Sequence, residues 1–537
     1  MSASDASLID RAISAVAPQW ALRRLRARRQ IACLGVSGGY DSASTTKPAL
    51  AGWLAQASDA RSDINPALPT LRARSRDLAR TSPLAGGALS TIATAVVGTG
   101  LSCQPQPDVA ALGLSVDQAQ AWSDATLREW RQWSESDACD LTRTQSFFGL
   151  QSTAFLSALE SGDVFVLLAD APWPGSPYRL ALQMIEADRV CNPGRVQDNA
   201  RISAGVELDD AGAPLRYHVC SGYPTAAGAG RVQWTQRAAF TADGRRSMLH
   251  LFERRRPGQV RGVPILAPVI EPLKQLKRYT DAELDAAVAA ATFAVFIRMD
   301  PEAFSEIFDD AARATYLSSA TTWDRTIPQG AIGPGAKAIN LLPGESAESP
   351  TPGRPSAGFD PFFLAIVRQI GVGIGLPHEV LIKHFTASYS AAQAALLDAW
   401  RHFRCRRDWL AAGLCQPVYA AWLDEAVALG RVIAPGYFAD PALRHAWSQA
   451  VWVGDGPGSI DPTKSVEAAV MRIEAGISTI AAESVLHDGV DWRIKHRQRV
   501  VEQSARSADG LDRPPAPPRP PGAPTPDEDV PEREDET

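Results

Sequence analysis

The segment Gly35-Val36-Ser37-Gly38-Gly39 is the first pattern that could do chemistry, because it matches the G-x-S-x-G turn that carries a nucleophilic serine. Such a turn needs a strand before the serine and a helix after it, so that the hydroxyl is exposed at a sharp bend. The residues that follow, YDSASTTKP, are typical of turns and open no helix. A flexible linker is the simpler interpretation, and a hydrolase that uses Ser37 is kept as an alternative.

Two groups of titratable side chains resemble functional sites. His378-Glu379 and His384 resemble the H-E-x-x-H motif of zinc proteases, but the histidines are six residues apart rather than four and point to different helix faces. Glu186 and Asp188 would share one strand face and could act as acid and base, as alternate residues also do in purely structural strands. The seven cysteines form no CxxC pair, and there is no G-x-x-x-x-G-K-[ST] phosphate loop. We therefore predict no catalytic residue, no cofactor and no metal site, and expect no enzyme.

Arginine is the remaining side chain that could do chemistry, since its guanidinium binds phosphate oxygens. One cluster lies near the start of the chain, at Arg23, Arg24, Arg26, Arg28 and Arg29. A second lies in a predicted helix that carries Leu396, Trp400 and Phe403 on one stripe, and it comprises Arg401, Arg404, Arg406 and Arg407. Either cluster could contact DNA phosphates. Arginines beside an apolar stripe are more often a solvated or subunit-bridging face, and that alternative stays open.

The overall charge argues against a chain that grips nucleic acid. The 537 residues are 45% hydrophobic and 21% charged, which is typical of a globular protein with several domains. The 54 basic and 60 acidic residues give a net charge of −6, without the basic excess of tight phosphate binding. Residues 511–537 hold eight acids, three arginines and nine prolines, so we predict a disordered tail and a nearly neutral body. No signal peptide or membrane span is predicted.

The elements that must position these residues predict an α+β fold. LRARSRDLARTSP indicates a helix with an arginine-rich solvent face, stopped by Pro83, and residues 121–133 repeat apolar residues at helical spacing. Residues 164–169 and 180–185 are short apolar runs typical of strands, and residues 205–219 predict a hairpin with its turn at Asp209, Asp210 and Gly212.

The second half of the chain is mainly helical. A helix of some 30 residues is predicted from Pro268 to Ile297, about 45 Å long and rich in alanine. A Gly/Pro-rich insertion with one strand-like piece at 338–342 follows, and then an apolar helix that Pro377 ends or kinks. Ser390 and Gln393 predict a capping box at the start of the next helix. Residues from about 430 to 507 predict a small α domain.

Several segments, in this order, resemble the lambda-type family of bacteriophage portal proteins. They are RSRDLAR (74–80), VVGTGL (96–101), IEADRV (185–190), GVELDDAGAPLRYHV (205–219), HLFERRRPGQVRGVPILAPVIEPLKQLKRYTDAELDAA (250–287), LLPGE (341–345), SYSAAQAALLDAWRHF (388–403), PVYAAWLDEAV (417–427) and IDPTKSVEAAVMRIEAG (460–476). The resemblance covers residues 50 to 500, and RPGQVRGVP is its most specific piece.

The resemblance implies a portal fold assembled as a ring, which is usually a dodecamer in that family, with named regions. These are an N-terminal arm (1–60), an α+β wing (61–265), a first stem helix (266–300), a clip (301–357), a second stem helix (358–383), a tunnel loop and long helix (384–430), a crown-like helical region (431–510) and the tail (511–537). The implied tunnel-loop residues are Lys383, His384, Phe385, Thr386, Ser388, Tyr389 and Ser390. The signature of the wing–stem junction comprises Arg256, Pro257, Gly258, Gln259, Arg261, Gly262 and Pro264.

The resemblance also implies the partners. They are copies of the same chain, double-stranded DNA passing through the channel without sequence specificity, the terminase large subunit, and the major capsid and head-completion proteins. The implied location is the portal vertex of the virion, and the host cytoplasm during assembly. A near-neutral body suits a channel in which DNA slides, since each neutralised phosphate adds affinity that every step must break. A monomeric DNA-binding packaging factor is the alternative of another class.

Overall fold

The computed structural model describes residues 20, 41–43, 47–50, 53, 57–224, 232–291, 296–299, 309–311, 345–348, 358–385, 388–456, 462–489 and 491–510. The chain divides into two units, residues 1–63 and 64–537. In the first unit the described part includes a short 3-10 turn at Asp41–Ala43. The Ser37 turn, the arginine cluster at 23–29 and the tail at 511–537 lie outside the described residues.

A series of helices precedes the two main sheets; the first lies in residues 1–63 apart from its last residue, and the others lie in the larger unit. Their bounds are α1 Ala60–Ile64, α2 Leu68–Thr81, α3 Pro83–Val96, α4 Val109–Leu112, α5 Val116–Ser134 and α6 Phe147–Ser161. Pro83 ends α2 as predicted and also occupies the first turn of α3, where proline is favoured because its missing N–H has no helical partner. The predicted helix at 121–133 is confirmed within α5, which opens with a capping box formed by Ser115 and Gln118.

Two antiparallel sheets follow. Strand β1, Ser102–Pro105, belongs to a separate two-stranded sheet. The strands of the two larger sheets are β2 Asp163–Asp170, β3 Leu180–Glu186, β4 Ile202–Ser203, β5 Val206–Leu208, β6 Pro214–Cys220, β7 Trp234–Ala238 and β8 Met248–Phe252. One sheet has the order β3-β2-β8 and the other β4-β5-β6-β7. The predicted strands and hairpin are confirmed. Asp209 organises the hairpin turn, because its carboxylate accepts hydrogen bonds from the N–H groups of Ala211 and Ala213.

The central strand β2 explains why its sequence is apolar without alternation. Val164 and Val166 face the large core formed with the helices, whereas Phe165 and Leu167 face a second core against the four-stranded sheet. Successive side chains of a strand point to opposite faces, so a strand covered on both sides needs apolar residues at every position. The β2 strand is therefore the layer shared by the two cores.

The first long helix is shorter than predicted. Helix α7 spans Ile270–Ala291, and Phe296–Met299 form strand β9, which pairs antiparallel with β10, Glu345–Glu348. The expectation that the helix continues to Ile297 is wrong. Its alanine run favours a helix, but the following residues TFAVFI are β-branched or aromatic except for one alanine, and they favour a strand. The predicted strand-like piece at 338–342 lies outside the described residues.

A second helical layer completes the core. Helix α8 spans Phe359–Ile374 and ends at Gly375, whose φ of +76° is the left-handed conformation typical of a helix terminus, two residues before Pro377. It is followed by α9 His378–Ile382, α10 Tyr389–Leu410, a π-helical turn at Ala411–Cys415 and α11 Gln416–Ala428. The π-helical turn joins α10 and α11 into one rod, since the N–H of Gln416 donates to the carbonyl of Ala411, five residues back.

The last region is only partly the small α domain that the sequence predicts. Helix α12 (Pro441–Trp447) and strand β11 (Ala450–Val453) belong to the large core, and β11 pairs with β1. Helices α13 Pro462–Glu474, α14 Ile480–Asp488 and α15 Trp492–Ala508 come after them. No helix among the described residues is long and apolar enough to cross a membrane.

Aromatic side chains fill the centre of the large core. The indole of Trp130 lies 5.1 Å from that of Trp422 and 5.4 Å from the ring of Tyr419, both in edge-to-face contacts. Trp133 and Trp422 are fully buried. Each such ring removes about 200 Å² from water, which contributes ~5 kcal/mol of transfer free energy. This packing joins the N-terminal helices to α11 and so fixes the body on which the predicted site residues lie.

Candidate functional site

The predicted junction segment 256–264 begins at the surface and ends in the interior. Arg256, Pro257 and Gly258 are exposed, and Gly258 has a φ of +73°. Gln259 is buried and holds the turn, because its side-chain oxygen accepts hydrogen bonds from the N–H groups of Arg255 and Arg256 while its amide donates to the carbonyl of Arg261. Pro264 is buried as well. The segment therefore serves to bring Arg261 inside the protein.

Arg261 is the centre of a buried ionic cluster. Its side chain is 1% exposed and forms a two-pronged ion pair with Asp163, whose side chain is fully buried. The remaining N–H groups donate to the carbonyls of Ala187, Val190 and Ala204, so the guanidinium is fully satisfied. The N–H of Gly262 also donates to Asp163. One side chain thus ties the junction to β2, to the IEADRV segment and to the loop between β4 and β5.

A second arm of the cluster comes from helix α2. Arg72 donates to Asp163 at 2.9 Å and to Asp188 at 3.3 Å, and its side chain is 5% exposed. Arg76 and the hydroxyl of Tyr223 also bind Asp188. The expectation of an arginine-rich solvent face on this helix is therefore wrong for Arg72 and Arg76. The carboxylates that attract them come from residues far along the chain, which helical periodicity does not reveal.

Glu186 and Asp188, which could have acted as acid and base on one strand face, are not arranged as a pair. Glu186 ends strand β3, whereas Asp188 lies in the 3-10 turn that follows, so the two carboxylates do not share a strand face. Burial alone would raise the pKa of Asp188, but the hydroxyl of Tyr223 and the guanidinium groups of Arg72 and Arg76 hold that pKa below its usual value. Asp188 is a partner of arginines in the cluster.

His250 closes the cluster on its apolar side. Its imidazole lies 3.1 Å from the Asp163 carboxylate and stacks on Phe165 with ring centroids 4.0 Å apart. Burial lowers the pKa of His250 to about 4, against the opposing effect of Asp163. Burial alone would raise the pKa of Asp163, but Arg261 and Arg72 hold it well below its usual range. At neutral pH the cluster therefore contains ionised carboxylates and arginines around a neutral histidine.

Two glycines allow the junction to approach the start of β2. A Cβ at Gly262 would lie 1.9 Å from the carbonyl oxygen of Gly162, and one at Gly162 would meet the backbone of Gly262. Gly162 also has a φ of +91°, which other residues rarely adopt. The RPGQVRGVP signature thus carries a glycine for backbone contact and an arginine for the buried ion pair.

The predicted tunnel-loop residues follow helix α9. Lys383 ends this helix with a φ of +56°, unusual for a residue other than glycine, and its side chain is exposed, as are those of His384 and Phe385. Thr386 lies outside the described residues. Val380 and Leu381 are buried immediately before the loop, so its start is anchored in the core. His378 opens α9 and its imidazole lies 3.0 Å from the Glu379 carboxylate, while His384 lies after the helix.

The predicted capping box at Ser390 is wrong. Helix α10 begins at Tyr389, Ser388 is the exposed N-cap residue without a side-chain cap, and Ser390 is already an exposed helical residue. The carbonyl of Ser388 accepts the first helical hydrogen bond, from the N–H of Ala392. The start of the helix therefore lies two residues before the one that the motif predicts.

The predicted basic face of α10 divides into two parts. Arg401 and Arg404 are exposed. Arg407 donates to the carbonyls of Ala95 and Val96 at the end of α3, 2.9 and 3.0 Å away, and its guanidinium lies 5.2 Å from the centre of the Trp400 ring. These contacts neutralise the negative end of the α3 dipole.

Arg406 is the other inward arginine of α10. It donates to Nε2 of His402 at 2.7 Å, and Glu253 lies 4.0 Å away. Burial lowers its pKa and that of Arg407. In the part of the chain that the structure describes, no group of histidine, cysteine and carboxylate side chains is arranged to hold a metal ion.

Residues 46–407 match the model of the family described as "Phage portal protein, lambda family". The chain belongs to the lambda family of phage portal proteins. Two relatives support this assignment. Portal protein B of Escherichia phage lambda is 31% identical over 460 residues, and the match covers 83% of this chain and 85% of the relative. The portal protein of Escherichia phage N15 is 30% identical over 483 residues, covering 87% of this chain and 90% of the relative. The family is structural rather than catalytic.

Solved structures give a weaker likeness. A chain from the neck of a native gene transfer agent particle is 16% identical with a TM-score of 0.39, and the match covers 77% of this chain and 92% of that chain. A chain from the virion of such a particle is 15% identical with a TM-score of 0.41, covering 78% and 92%. The family assignment rests on the sequence matches.

Proposed function

We propose that the chain is a subunit of a ring-shaped portal, which forms a channel at one capsid vertex for packaging and ejection of double-stranded DNA. The observation that carries this proposal is the family match over residues 46–407, with relatives named portal proteins aligned over more than four fifths of the chain. The segments that carry the family resemblance also converge in space, since Arg76, Asp188, His250 and Arg261 meet in one buried cluster.

In this proposal the described elements take the roles of wing, stem and clip. Residues 61–265, with the two sheets and the cluster, would be the rigid wing. Helices α7 and α8 would be the stem, and residues 301–357 the clip. The pairing of Met299 with Glu345 supports this division, because it brings a residue inside the insertion beside the residues that precede it. Residues 431–510 would be the crown.

Residues 383–390 would be the tunnel loop. Its described part exposes an ammonium, an imidazole and an aromatic ring in sequence, from Lys383, His384 and Phe385. The buried end of α9 fixes where the loop begins. Apart from Lys383 and His384, we expect the channel side of the stem to be neutral or acidic, since a basic bore would bind DNA at each step. An assembled ring with a continuous basic bore would contradict this.

The exposed pair Arg401 and Arg404 is available to bridge subunits or to contact phosphates, whereas Arg406 and Arg407 are used within the chain. The terminase large subunit, the major capsid protein and head-completion proteins would be the partners. The location would be the portal vertex, after assembly in the host cytoplasm.

Sedimentation of the purified protein tests the proposal. A single chain has a mass of 57.5 kDa, and a ring of twelve would have roughly 690 kDa. A ring-sized particle with a central hole in negative-stain images is the expected result. A 57.5 kDa species with salt-dependent DNA affinity would contradict the portal proposal and would favour a monomeric DNA-binding packaging factor.

Two variants make the test more specific. Deleting residues 1–45 should leave the particle size unchanged, and Ser37→Ala should change neither assembly nor any activity. Loss of a hydrolytic activity in Ser37→Ala would favour the serine hydrolase instead.

A further inference from the structure

Helix α15, Trp492–Ala508, is the most cationic helix in the described part of the second half of the chain. Its sequence contains five cations and one acid, giving a net charge of +4 with histidine neutral, and four of the cations lie in its first eight residues. No acidic residue occupies its first turn; the nearest is the N-cap Asp491, whose carboxylate accepts a hydrogen bond from the N–H of Arg493. The charge of this helix is therefore not balanced within the helix itself.

The second half of α15 is open, whereas Arg493 and Lys495 in its first half are half-buried. Apart from Val501, whose side chain is not described, every residue from Gln498 to Gly510 is exposed. The carboxylate of Glu502 accepts a hydrogen bond from Gln498, and within the described residues Arg499 and Arg506 make no ion pair. Lys495 and Arg499 are four residues apart, so their like charges repel along one face. An anionic partner would stabilise the exposed, positively charged part of such a helix.

The chain carries such a partner immediately after the helix. Residues 527–537 contain seven acids and one arginine, a net charge of −6, which is the densest negative charge in the sequence. Residues 511–526 separate the acids from the helix and contain eight prolines, one acid and two arginines. The acidic segment and the helix therefore have opposite charges of similar size.

The geometry at the end of the helix favours their contact. Gly510 has a φ of +68° and donates to the carbonyl of Ser507, so the chain leaves α15 through a left-handed turn. The cationic half of the helix is centred about 14 residues before this turn, which is ~21 Å along the axis. The 16-residue spacer spans ~20–24 Å as a flexible coil and up to ~50 Å as a polyproline helix. The spacer is thus long enough to bring the acids onto the cations.

We propose that residues 527–537 dock on helix α15 of the same chain and keep it from binding nucleic acid. This goes beyond the proposed portal function, since it assigns a latent phosphate-binding helix and an internal competitor for it. The acids act as a tethered polyanion whose effective concentration is in the millimolar range. DNA must displace the segment before it can use the cations of α15.

DNA affinity tests the proposal, with a duplex of about 20 base pairs as the probe. Deleting residues 511–537 should strengthen binding about tenfold at about 100 mM salt, with a log–log salt slope of about −4.5 for the five cations of α15. Converting the seven acids to their amides at full length should give the same gain, which separates charge from length. Changing the cations of α15 to Gln in the shortened chain should abolish this gain in DNA affinity. These residues are Arg493, Lys495, Arg497, Arg499 and Arg506. If the full-length and shortened chains bind DNA equally, the proposal is wrong.

Zero-length carbodiimide cross-linking reports the contact directly. Lys495 is the only lysine in α15, so a cross-link from it to residues 527–537 is expected, and Lys495→Arg should remove the cross-link while preserving the charge. The cross-linked product should migrate as a single chain in a denaturing gel. Cross-links that join two chains, or that avoid Lys495 altogether, would overturn docking on the same chain.

Discussion

Asp163 and Asp424 are both buried carboxylates that bind arginine, and they differ in what surrounds the arginine. Asp163 binds Arg72 and Arg261, whose side chains are 5% and 1% exposed. Asp424, in α11, binds Arg444 at 2.6 Å and accepts a hydrogen bond from the hydroxyl of Tyr437. The side chain of Arg444 is 34% exposed. One carboxylate thus holds charges that water does not reach, and the other holds a charge that water already reaches.

The difference determines what each pair does for the protein. A buried pair costs several kcal/mol of desolvation per ion, so its net benefit is small while it is intact and its loss is expensive. The Asp163 cluster therefore specifies which segments come together, namely α2, β2, the IEADRV segment and the junction. The Asp424 pair fastens α12 to α11 locally, and its arginine can return to water.

The largest effect is expected for Asp163→Ala. The change leaves two buried guanidinium groups without their anion, so we expect a loss of about 3–5 kcal/mol in the free energy of unfolding, measured by urea denaturation with tryptophan fluorescence. Asp170→Ala is the matched control, because Asp170 pairs with Arg179 at the surface and should lose less than about 1 kcal/mol. Similar losses for the two variants would contradict a specifying role for the cluster.

The second largest effect is the dependence of the free energy of unfolding on pH. Because the pKa of His250 is about 4 in the folded protein and about 6.5 when unfolded, the unfolded chain binds the extra proton between these values. Stability therefore falls as pH decreases from about 6.5 to 4, by ~1.4 kcal/mol per pH unit and about 3 kcal/mol in total. Below about pH 4 the lowered pKa of Asp163 adds a further loss, because the stability from its ionised form disappears as pH falls through that folded pKa.

His250→Gln isolates the histidine contribution to this pH dependence. The variant should show a flatter stability curve between pH 6.5 and 4, measured by urea titration at several pH values. His445→Gln, at an exposed histidine, is the control and should follow the parent curve. If stability depends on pH in the same way in the parent and in His250→Gln, His250 does not cause this pH dependence.

A third, smaller effect is expected for Asp424→Ala. Tyr437 loses a charged hydrogen-bond acceptor while Arg444 is rehydrated, so the cost should be about 2 kcal/mol in the same urea measurement. The ratio of this loss to that of Asp163→Ala measures how much the exposure of the arginine matters. A loss larger than that of Asp163→Ala would reverse the comparison.

The smallest effect separates the arginines of α10. Arg407→Gln removes donors from two helix-terminal carbonyls and should cost about 1–2 kcal/mol in thermal or urea unfolding. Arg404→Gln, three residues earlier and exposed, should change stability by less than about 0.5 kcal/mol. Equal losses would show that the division of the basic face has no energetic meaning.

Local patterns predicted the sheet region well. The apolar run of β2 and the Asp209 turn are signals carried by adjacent residues, and the structure confirms both. The motif S-x-x-Q marks a helix start at Ser115 but not at Ser390, because the backbone around Ser388 already begins the helix. The end of α7 was also missed, since alanine-rich and β-branched residues meet there without a turn signal.

The buried cluster could not be predicted from local patterns. Arg72 binds Asp163, which is 91 residues away in the sequence, and Asp188, which is 116 residues away. In sequence these arginines look like a solvated helix face, because the desolvated partners become visible only when the fold is known. The family resemblance selected the segments that contain Arg261 and Gly262, but it gave no physical reason for those residues. The reason is the buried ion pair and the contact between Gly162 and Gly262.

The π-helical turn at Ala411–Cys415 sets the rotation of α10 relative to α11 about their common helix axis. It contains one more residue than an α-helical turn, and one residue corresponds to about 100° of rotation around the helix axis. Removing a single residue there would preserve both helices but would turn the outward side of α10, with Arg401 and Arg404, by about a quarter circle relative to the anchored α11. The number of residues in this turn, rather than the identity of any side chain, therefore sets the direction in which the outer part of the rod faces.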